Sequence, residues 1–417
     1  MKILIVDILG EVLDLAMKLQ NEGHDVRLHI RNKWDKDIGD GIIPKVSAWN
    51  KYIGWADLII FDDVGFGNLP KKLRAKGKNV VGGTAITDRM ENDREFGMRM
   101  CEVCGIPVPN YHIFDSFNKG RQYLKENPRK RFVFKPFGQA PRHWTKIFQP
   151  ETQDRVLDYL EDAMGGKGKF MLQEFVEGIE MAIGAWFNGK KFMKPVLPNF
   201  EFKKLIDNDM GPNTGEMGSV MIYKDKNKLF TETLEKASHV LEAEGYVGFI
   251  DLNCIITEDG PYALEWTTRF GYPTILIQDE IHKGDWGSFF MGLANASSSR
   301  FRTKKNNWAV GVAVTTLPWP LELHSNKYKN IPIFIRGSDA HIHLSDAKLK
   351  KDELVTAGNC GYVAVATGHG NDLETAIQYA KQRADKIKVD DGYYRTDIGY
   401  RLIDQLPIIK KWGYMSR

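Results

Sequence analysis

The first eighty residues alternate short apolar runs with helical stretches, and no other feature restricts the fold so much. Lys2–Asp7 (KILIVD) is an apolar run, followed by Gly10, a helical pattern from Glu11 to Asn21, a stop at Gly23-His24 and a second run at Val26–Ile30. A third run, Asp57–Phe61, ends in Asp62-Asp63, and a basic helix-like stretch near Pro70–Lys76 leads to Asn79-Val80-Val81, closed by Gly82-Gly83. Strands alternating with helices predict a parallel sheet that takes ligands at the carboxyl ends of its strands. A dinucleotide site would need G-x-G-x-x-G after the first strand, and Gly10 stands alone there, which excludes an NAD enzyme.

Beyond this opening the pattern turns mixed. Thr87 to Cys104 reads as one helix capped by Thr87 or Asp88 and broken at Gly105-Ile106-Pro107. Strands at Phe132–Phe134 and Phe170–Leu172 flank a helix at Thr152–Met164; then come a polar loop, Asp207–Gly218, a helix at Leu229–Glu244 and two strands. Asn295–Lys305 (NASSSRFRTKK) reads as a linker, and the rest as a strand-rich domain with a helix at Leu373–Ile387. The expected class is α/β (α+β). Four cysteines in 417 residues are too few for a disulfide framework and fit a reducing compartment. Cys101 and Cys104 form a lone C-x-x-C without the second pair that a zinc site needs, so they read as small buried helix residues. The net charge of +4 does not call for nucleic acid. No apolar run approaches the ~18 residues of a membrane span, and the chain opens directly on a strand pattern, so the expected location is cytoplasmic.

The stretch most informative about chemistry is Phe249–Arg269. Alternation places Asp251 and Asn253 on one strand face, and Ala263, Glu265, Thr267 and Arg269 on one face of the next. If Glu258-Asp259-Gly260 is the connecting loop, Asn253 faces Glu265 and Asp251 faces Thr267. Carboxylates and an amide then converge on one sheet face, a hard-oxygen set that suits Mg²⁺ holding a nucleotide triphosphate. A solvated polar face is the alternative reading.

Three segments carry a resemblance. Asp209-Met210-Gly211-Pro212-Asn213-Thr214-Gly215-Glu216-Met217-Gly218 is similar to D-x-G-P-N-T-G-G-M-G. Leu264-Glu265-Trp266-Thr267-Thr268-Arg269-Phe270-Gly271-Tyr272-Pro273 is similar to E-F-N-C-R-F-G-D-P-E. The tail Val355–Ile403, with Gly368-His369-Gly370 and Tyr394-Arg395-Thr396-Asp397-Ile398-Gly399, completes the set. In these motifs the chain resembles the ATP-grasp ligases of the phosphoribosylamine–glycine ligase (GAR synthetase) family. The resemblance implies an ATP-grasp fold with an N-terminal Rossmann-like (pre-ATP-grasp) domain at 1–83, an ATP-grasp domain at 84–304 whose lid lobe is about 110–176, and a strand-rich C-terminal domain at 305–417.

It also implies roles. Lys135 matches the family's ATP-phosphate lysine, and Arg94 stands where a second phosphate-binding cation is usual. In the hinge-like segment Leu172–Glu180, Glu174 and Val176 would meet adenine through backbone groups, and Glu177 or Glu180 the ribose hydroxyls. Glu265 matches the family's magnesium ligand; Thr267 replaces its second ligand, an Asn, so Asp251 or Asn253 would supply the missing oxygen. Arg269 would fork onto the carboxylate or acyl phosphate. Asn213 and Thr214 would shape the substrate pocket, while Lys203 and Lys204 read as a solvated pair.

Departures fall mainly on the acceptor side. The lid loop Gly138–Trp144 has one Gly and a Pro, so Arg142, His143 or Lys146 would replace a backbone cradle. The family's G-G-R-E-H-A appears as Leu9-Gly10-Glu11-Val12-Leu13-Asp14, and its G-P-E-A-P-L as Phe61-Asp62-Asp63-Val64-Gly65-Phe66, places that in the family lie near the amine substrate and its phosphate. The expected function is ADP-forming ligation with ATP and Mg²⁺ (or Mn²⁺), joining glycine or another small amino acid to an amine, in nucleotide or modified-base synthesis. Two alternatives stand beside it: the family's own reaction, and an ATP-binding protein that no longer ligates.

Overall fold

The computed structural model of the chain describes all residues except 139–143, 298–299, 305–306, 322, 324, 338–339 and 416–417. The N-terminal alternation forms a parallel sheet of β1 (Lys2–Asp7), β2 (Asp25–Ile30), β3 (Leu58–Phe61) and β4 (Val80–Val81), in the order β2-β1-β3-β4. Residues Ile3 to Val6 are all buried because both faces of this sheet are covered. Asp7, at the end of β1, accepts N–H groups from Leu9 (2.7 Å), Gly10 (2.8 Å) and Val12 (3.2 Å), and so closes the loop that starts helix Leu13–Asn21. Gly10 lies in that loop at φ +90°, where a Cβ would come within 2.7 Å of Ile38.

The single helix expected over Thr87–Cys104 is two. Ala85–Asn92 is capped by Thr84 in a capping box with Thr87, and Arg94–Val103 is capped by Asp93, which accepts from Phe96 N–H. An Asn-Asp pair favours a cap over helix interior, and here it breaks the run. Asp88 is no cap; its carboxylate accepts from Gly65 and Gly67 N–H.

A smaller antiparallel sheet follows, formed by β5 (Tyr111–Phe114), β6 (Phe132–Pro136), β7 (Lys146–Ile147) and β8 (Phe170–Glu174) in the order β5-β8-β6-β7. It packs helices Phe117–Glu126 and Gln153–Ala163 over a separate core that includes Phe117, Phe134, Phe148, Phe170 and Leu157. A lobe with its own core can move as a unit.

The body is an eight-stranded antiparallel sheet ordered β15-β14-β9-β10-β13-β16-β21-β18. Its strands are β9 (Ile179–Asn188), β10 (Leu197–Glu201), β13 (Gly218–Ile222), β14 (Val247–Ile256), β15 (Pro261–Thr267), β16 (Trp308–Thr315), β18 (Ile342–Leu344) and β21 (Tyr362–Gly370). Two-stranded ribbons flank it: β11 (Lys204–Ile206) with β12 (Met210–Asn213), β17 (Ile333–Ile335) with β22 (Ile387–Val389), and β19 (Ala347–Lys350) with β20 (Glu353–Thr356). Three of the strands after residue 307, β16, β21 and β18, therefore continue the body sheet through β13·β16 pairing.

Three local expectations change. The polar loop Asp207–Gly218 is largely the turn and second strand of the β11–β12 ribbon. The helix expected at Leu229–Glu244 is interrupted at Thr233, leaving Lys228–Glu232 and Ser238–Glu244 as α-helix. In the expected linker Phe301 is fully buried, donating its N–H to Lys194 O at 2.9 Å and lying against Trp186 and Trp286. One aromatic residue among small polar ones was enough to tie that segment down. No helix among the described residues is long and apolar enough to cross a membrane.

Candidate active site

Four adjacent strands of the body sheet present one polar row. Glu265 on β15, Glu180 on β9 and Glu201 on β10 converge on Lys203, just past β10, and Asn253 on β14 joins two of these carboxylates. The Lys203 ammonium lies 2.8 Å from Glu265, 2.8 Å from Glu201 and 3.3 Å from Glu180. Asn253 donates its amide to Glu180 (3.0 Å) and Glu201 (2.7 Å), while its own buried Oδ1 has no hydrogen-bond partner. Asn253 faces Glu265, and Asp251 faces Thr267. The connecting loop is four residues, 257–260, rather than three; a bulge between Asn253 and Cys254 absorbs the difference and keeps this register.

Cations frame this row from the other side. Lys135, on β6 of the smaller sheet, is only 7% exposed, and its ammonium is pushed down to about 7 by burial and then by Arg94. Arg94 opens helix Arg94–Val103; burial lowers it, Glu265 opposes, and its Nε has no partner. The half-exposed Glu265 carboxyl is held far below the usual carboxylate range by Lys203, against partial desolvation, with help from Arg94 and Lys135. Conversely, Lys203 stays protonated despite burial because Glu201, Glu265 and Glu180 surround it. Lys203 is thus no solvated surface lysine. Lys204 is lowered by burial and then by Lys146, which reaches across from β7. Of the lid-loop candidates, Arg142 and His143 lie outside the described residues.

The β11–β12 ribbon holds Lys203 in place. Thr214 gives both its N–H (2.8 Å) and its Oγ1–H (2.9 Å) to Lys203 O, and Asn213 pairs with Lys204. At the hinge, Glu174 turns its carboxylate to Lys130 (2.5 Å) and Asn110 (3.1 Å). The N–H groups of Glu174 and Phe175 are spent on Asn110 O and Arg131 O, and Val176 follows them. Glu177 is exposed, whereas Glu180 belongs to the cluster around Lys203.

Asp251, expected among the metal ligands, already has a side-chain partner. It is buried, accepts from Asn199 Nδ2 at 2.6 Å, and is pushed up to about 8 by burial and then by Glu201. With one oxygen given to Asn199, Asp251 has less to offer Mg²⁺ than the outward carboxylate of Glu265. In a Mg²⁺ titration of ADP release, Asp251→Asn should leave the half-saturating concentration within about twofold, whereas Glu265→Gln should raise it at least about tenfold. A large shift in the first variant would return Asp251 to the metal set.

Arg269 lies where the N-terminal sheet meets the body. Its Nε is shared between Glu91 (2.9 Å) and Asp63 (3.2 Å), and its Nη1 donates to Phe270 O (3.0 Å). Asp62, beside Asp63 at the end of β3, accepts from Tyr272 Oη at 3.0 Å on one oxygen; the other is buried without a partner. Glu91, Glu201 and Glu216 were not singled out from the sequence, and Asp62 and Asp63 stood there only as a strand end and as part of the segment aligned with the family's G-P-E-A-P-L. Glu216 carried a visible signal, because it stands where the resembled motif has its second consecutive glycine.

Comparison with known proteins bears on the family and the fold. The family model "Phosphoribosylglycinamide synthetase, ATP-grasp (A) domain" matches residues 92–275, and the C domain model of the same family matches 309–401; together they span well over half of the chain. A phosphoribosylamine–glycine ligase of Lactococcus lactis is 24% identical over 332 residues, 78% of each chain, and one of Thermotoga maritima is 28% identical over 336 residues, 77% of this chain and 80% of that one. The crystal structure of the Thermotoga maritima enzyme superposes with a TM-score of 0.74 at 22% identity, covering 95% of this chain and 100% of that one. A biotin carboxylase of Campylobacter jejuni superposes with a TM-score of 0.63 at 12% identity, covering 99% and 97%, a likeness of fold. Matched by family models in both its central body and its C-terminal segment, the chain belongs to the phosphoribosylglycinamide synthetase family of ATP-grasp ligases.

Proposed function

We propose that the chain is an ADP-forming ligase that joins the carboxylate of glycine, or of another small amino acid, to an amine. The observation that carries this reading is the facing arrangement of Lys135 and Arg94 with the Glu180, Glu201 and Glu265 carboxylates, a cation set for phosphates opposite an anion set for metal. The names of the relatives favour phosphoribosylamine as the amine, and that is the second reading.

In the proposed chemistry a carboxylate oxygen of the acid attacks the γ-phosphorus of ATP, the bond to the ADP oxygen breaks, and an acyl phosphate forms. The amine nitrogen then attacks the acyl carbon, the C–O bond to phosphate breaks, and the nitrogen gives up a proton. ATP, acid and amine become amide, ADP and phosphate. No nucleophilic side chain is required, so the chain's work is positioning and charge stabilisation. Lys135 and Arg94 hold the phosphates and take up the charge that develops on the β–γ bridge. Arg269, kept charged by Glu91 and Asp63 despite its burial, stands at the acyl side. Glu265 and the unpartnered Oδ1 of Asn253, with Glu201 beside them, fit a divalent cation as hard-oxygen donors, and Lys203 would yield its place among them. Such a cation supplies neutralisation of the triphosphate when bound.

The test is to incubate the protein with ATP, Mg²⁺, hydroxylamine and a panel of amino acids. Hydroxylamine intercepts an acyl phosphate without knowledge of the natural amine. Glycine hydroxamate and ADP in equal amounts are expected; neither product with any acid would leave an ATP-binding protein that does not ligate.

A further inference from the structure

Where the N-terminal sheet unit meets the body, three donor side chains that the proposed reaction does not use come together. Glu22 follows helix Leu13–Asn21, His24 precedes β2, and Asp285 caps helix Trp286–Ala294. One donor atom from each lies within 4.8 Å of the other two. His24 Nε2 is 3.1 Å from both oxygens of Asp285, and the edge of a tetrahedron with metal–ligand bonds of about 2.0 Å is about 3.3 Å. The imidazole is nine-tenths buried. A Cβ on Gly287 would lie 2.2 Å from Nε2, so the glycine there makes room for the ring.

Both carboxylates are oriented from behind by the start of that helix. Glu22 Oε2 accepts from Trp286 N–H at 2.9 Å and Gly287 N–H at 3.4 Å, and Asp285 Oδ1 accepts from Ser288 N–H at 2.5 Å. Each of these bonds occupies one oxygen and leaves its mate. Asp285 Oδ2 faces His24, while Glu22 Oε1 is wholly buried and has no hydrogen-bond partner. A buried carboxylate oxygen without a donor is costly, and this one stands near a second carboxylate. Burial and then the Asp285 charge push Glu22 up to about 7, a proton that a divalent ion would displace. The neighbouring cations are engaged: Lys18 pairs with Asp279 at 3.2 Å, and the Met1 ammonium lies 3.2 Å from the other ring nitrogen, His24 Nδ1.

One imidazole and two carboxylates, each carboxylate fixed through its second oxygen, make a donor set that suits a zinc-class ion, and outer hydrogen bonds of this kind hold metal ligands in place. Mg²⁺, which takes oxygen ligands and keeps its waters, would gain little from the imidazole. We propose that Glu22, His24 and Asp285 bind one divalent transition-metal ion, with water completing its shell, and that this ion pins the end of helix Leu13–Asn21 to the start of helix Trp286–Ala294. On binding, His24 Nε2 gives its lone pair to the ion, the ring keeps its single proton on Nδ1, and the Met1 ammonium turns to water. None of the three residues belongs to the carboxylate row around Lys203, so this site is separate from the one proposed for the nucleotide's divalent cation.

The test strips the full chain with a chelator, saturates it with Mg²⁺ and dialyses it against Zn²⁺ at about pH 7.5, where the ligands can lose their protons, followed by metal analysis and thermal melts. One Zn²⁺ per chain that Mg²⁺ does not displace is expected, with the melting temperature raised by at least about 3 °C. In His24→Gln, and separately in Asp285→Asn, the dissociation constant for Zn²⁺ should rise at least about tenfold. Asn still caps a helix, so the zinc-free melting temperature of Asp285→Asn should stay within about 2 °C of the wild type, which separates loss of a ligand from loss of the cap. Glu265→Gln should keep its Zn²⁺. Co²⁺ in place of Zn²⁺ gives a spectroscopic check, because its visible d–d absorption in the wild type should vanish in His24→Gln. A wild type that retains no Zn²⁺ overturns the proposal, and so does Zn²⁺ binding that survives both substitutions or is lost in Glu265→Gln.

Discussion

Replacing Lys135 with methionine is expected to lower kcat/KM on the order of 10³-fold and, in the same protein, to raise the melting temperature of the ligand-free form. The two effects share one cause. The ammonium is buried on β6 next to Arg94, and burial followed by that neighbouring cation brings it down to about 7. In the unfolded chain it returns to the ordinary lysine value near 10.4. Between those values the unfolded state binds the extra proton, so stability rises with pH across that window. Folding therefore works against this charge most strongly below pH 7, where methionine removes the burden, and least near pH 10. Melting curves of both proteins at pH 6.5 and 9.5 should show the advantage of the variant shrinking at the higher pH. On the proposed reading, bound triphosphate gives the same ammonium a partner, which accounts for a group costly to the empty protein. Wild-type turnover in the variant would remove Lys135 from the site, and a lower melting temperature would show that Glu265 and Glu180 already satisfy it.

Much of this arrangement was legible because periodicity and strand-end chemistry survive in the sequence. The β-α-β opening was readable from KILIVD and its successors, since a strand covered on both faces is apolar throughout. The facing of Asn253 with Glu265 was readable from alternation, and a bulge preserved it although the turn was longer than expected. What escaped was long-range. Nothing local in Glu201-Phe202-Lys203-Lys204 tells that one lysine will sit among three carboxylates from three strands while the next faces Lys146 of the smaller sheet. The Asp93 break was local but was outweighed by an apolar helical period on both sides. Glu91 and Asp63 acquire meaning only when Arg269 is brought to them by a separate sheet.

Arg395→Met should cost about 2–3 kcal/mol of stability and, in the fraction that folds, raise KM for the amino acid at least about tenfold with a smaller change in kcat. The guanidinium is 1% exposed and uses nearly all of its fork. Nε and Nη2 donate to the two oxygens of Asp397 at 2.8 Å, and Nη1 donates to Asp209 Oδ1 and to Lys204 O at 3.0 Å each. Asp397 in turn accepts from Asn208 N–H at 2.8 Å. One side chain of the C-terminal segment thus ties the turn of the β11–β12 ribbon, at Asp209, to its opposite end, at Lys204, where Asn213 pairs with Lys204 and Thr214 bonds Lys203 O. Removing one partner of a buried pair usually costs about 3–5 kcal/mol, and the estimate is reduced here because Asp209 and Asp397 keep part of their surface in water. The KM effect follows from geometry: a ribbon released at its turn lets Asn213 and Thr214, proposed to shape the acid pocket, move away from Lys203, while Lys135 on the smaller sheet keeps its place. Arg395→Lys keeps the charge without the fork, and it should recover less than half of the lost stability, because a single ammonium cannot span Asp397 and Asp209 together. Urea melts of the three proteins, with KM and kcat measured separately for acid and ATP, distinguish this positioning role from a general loss of fold, which would lower active protein and leave both KM values unchanged.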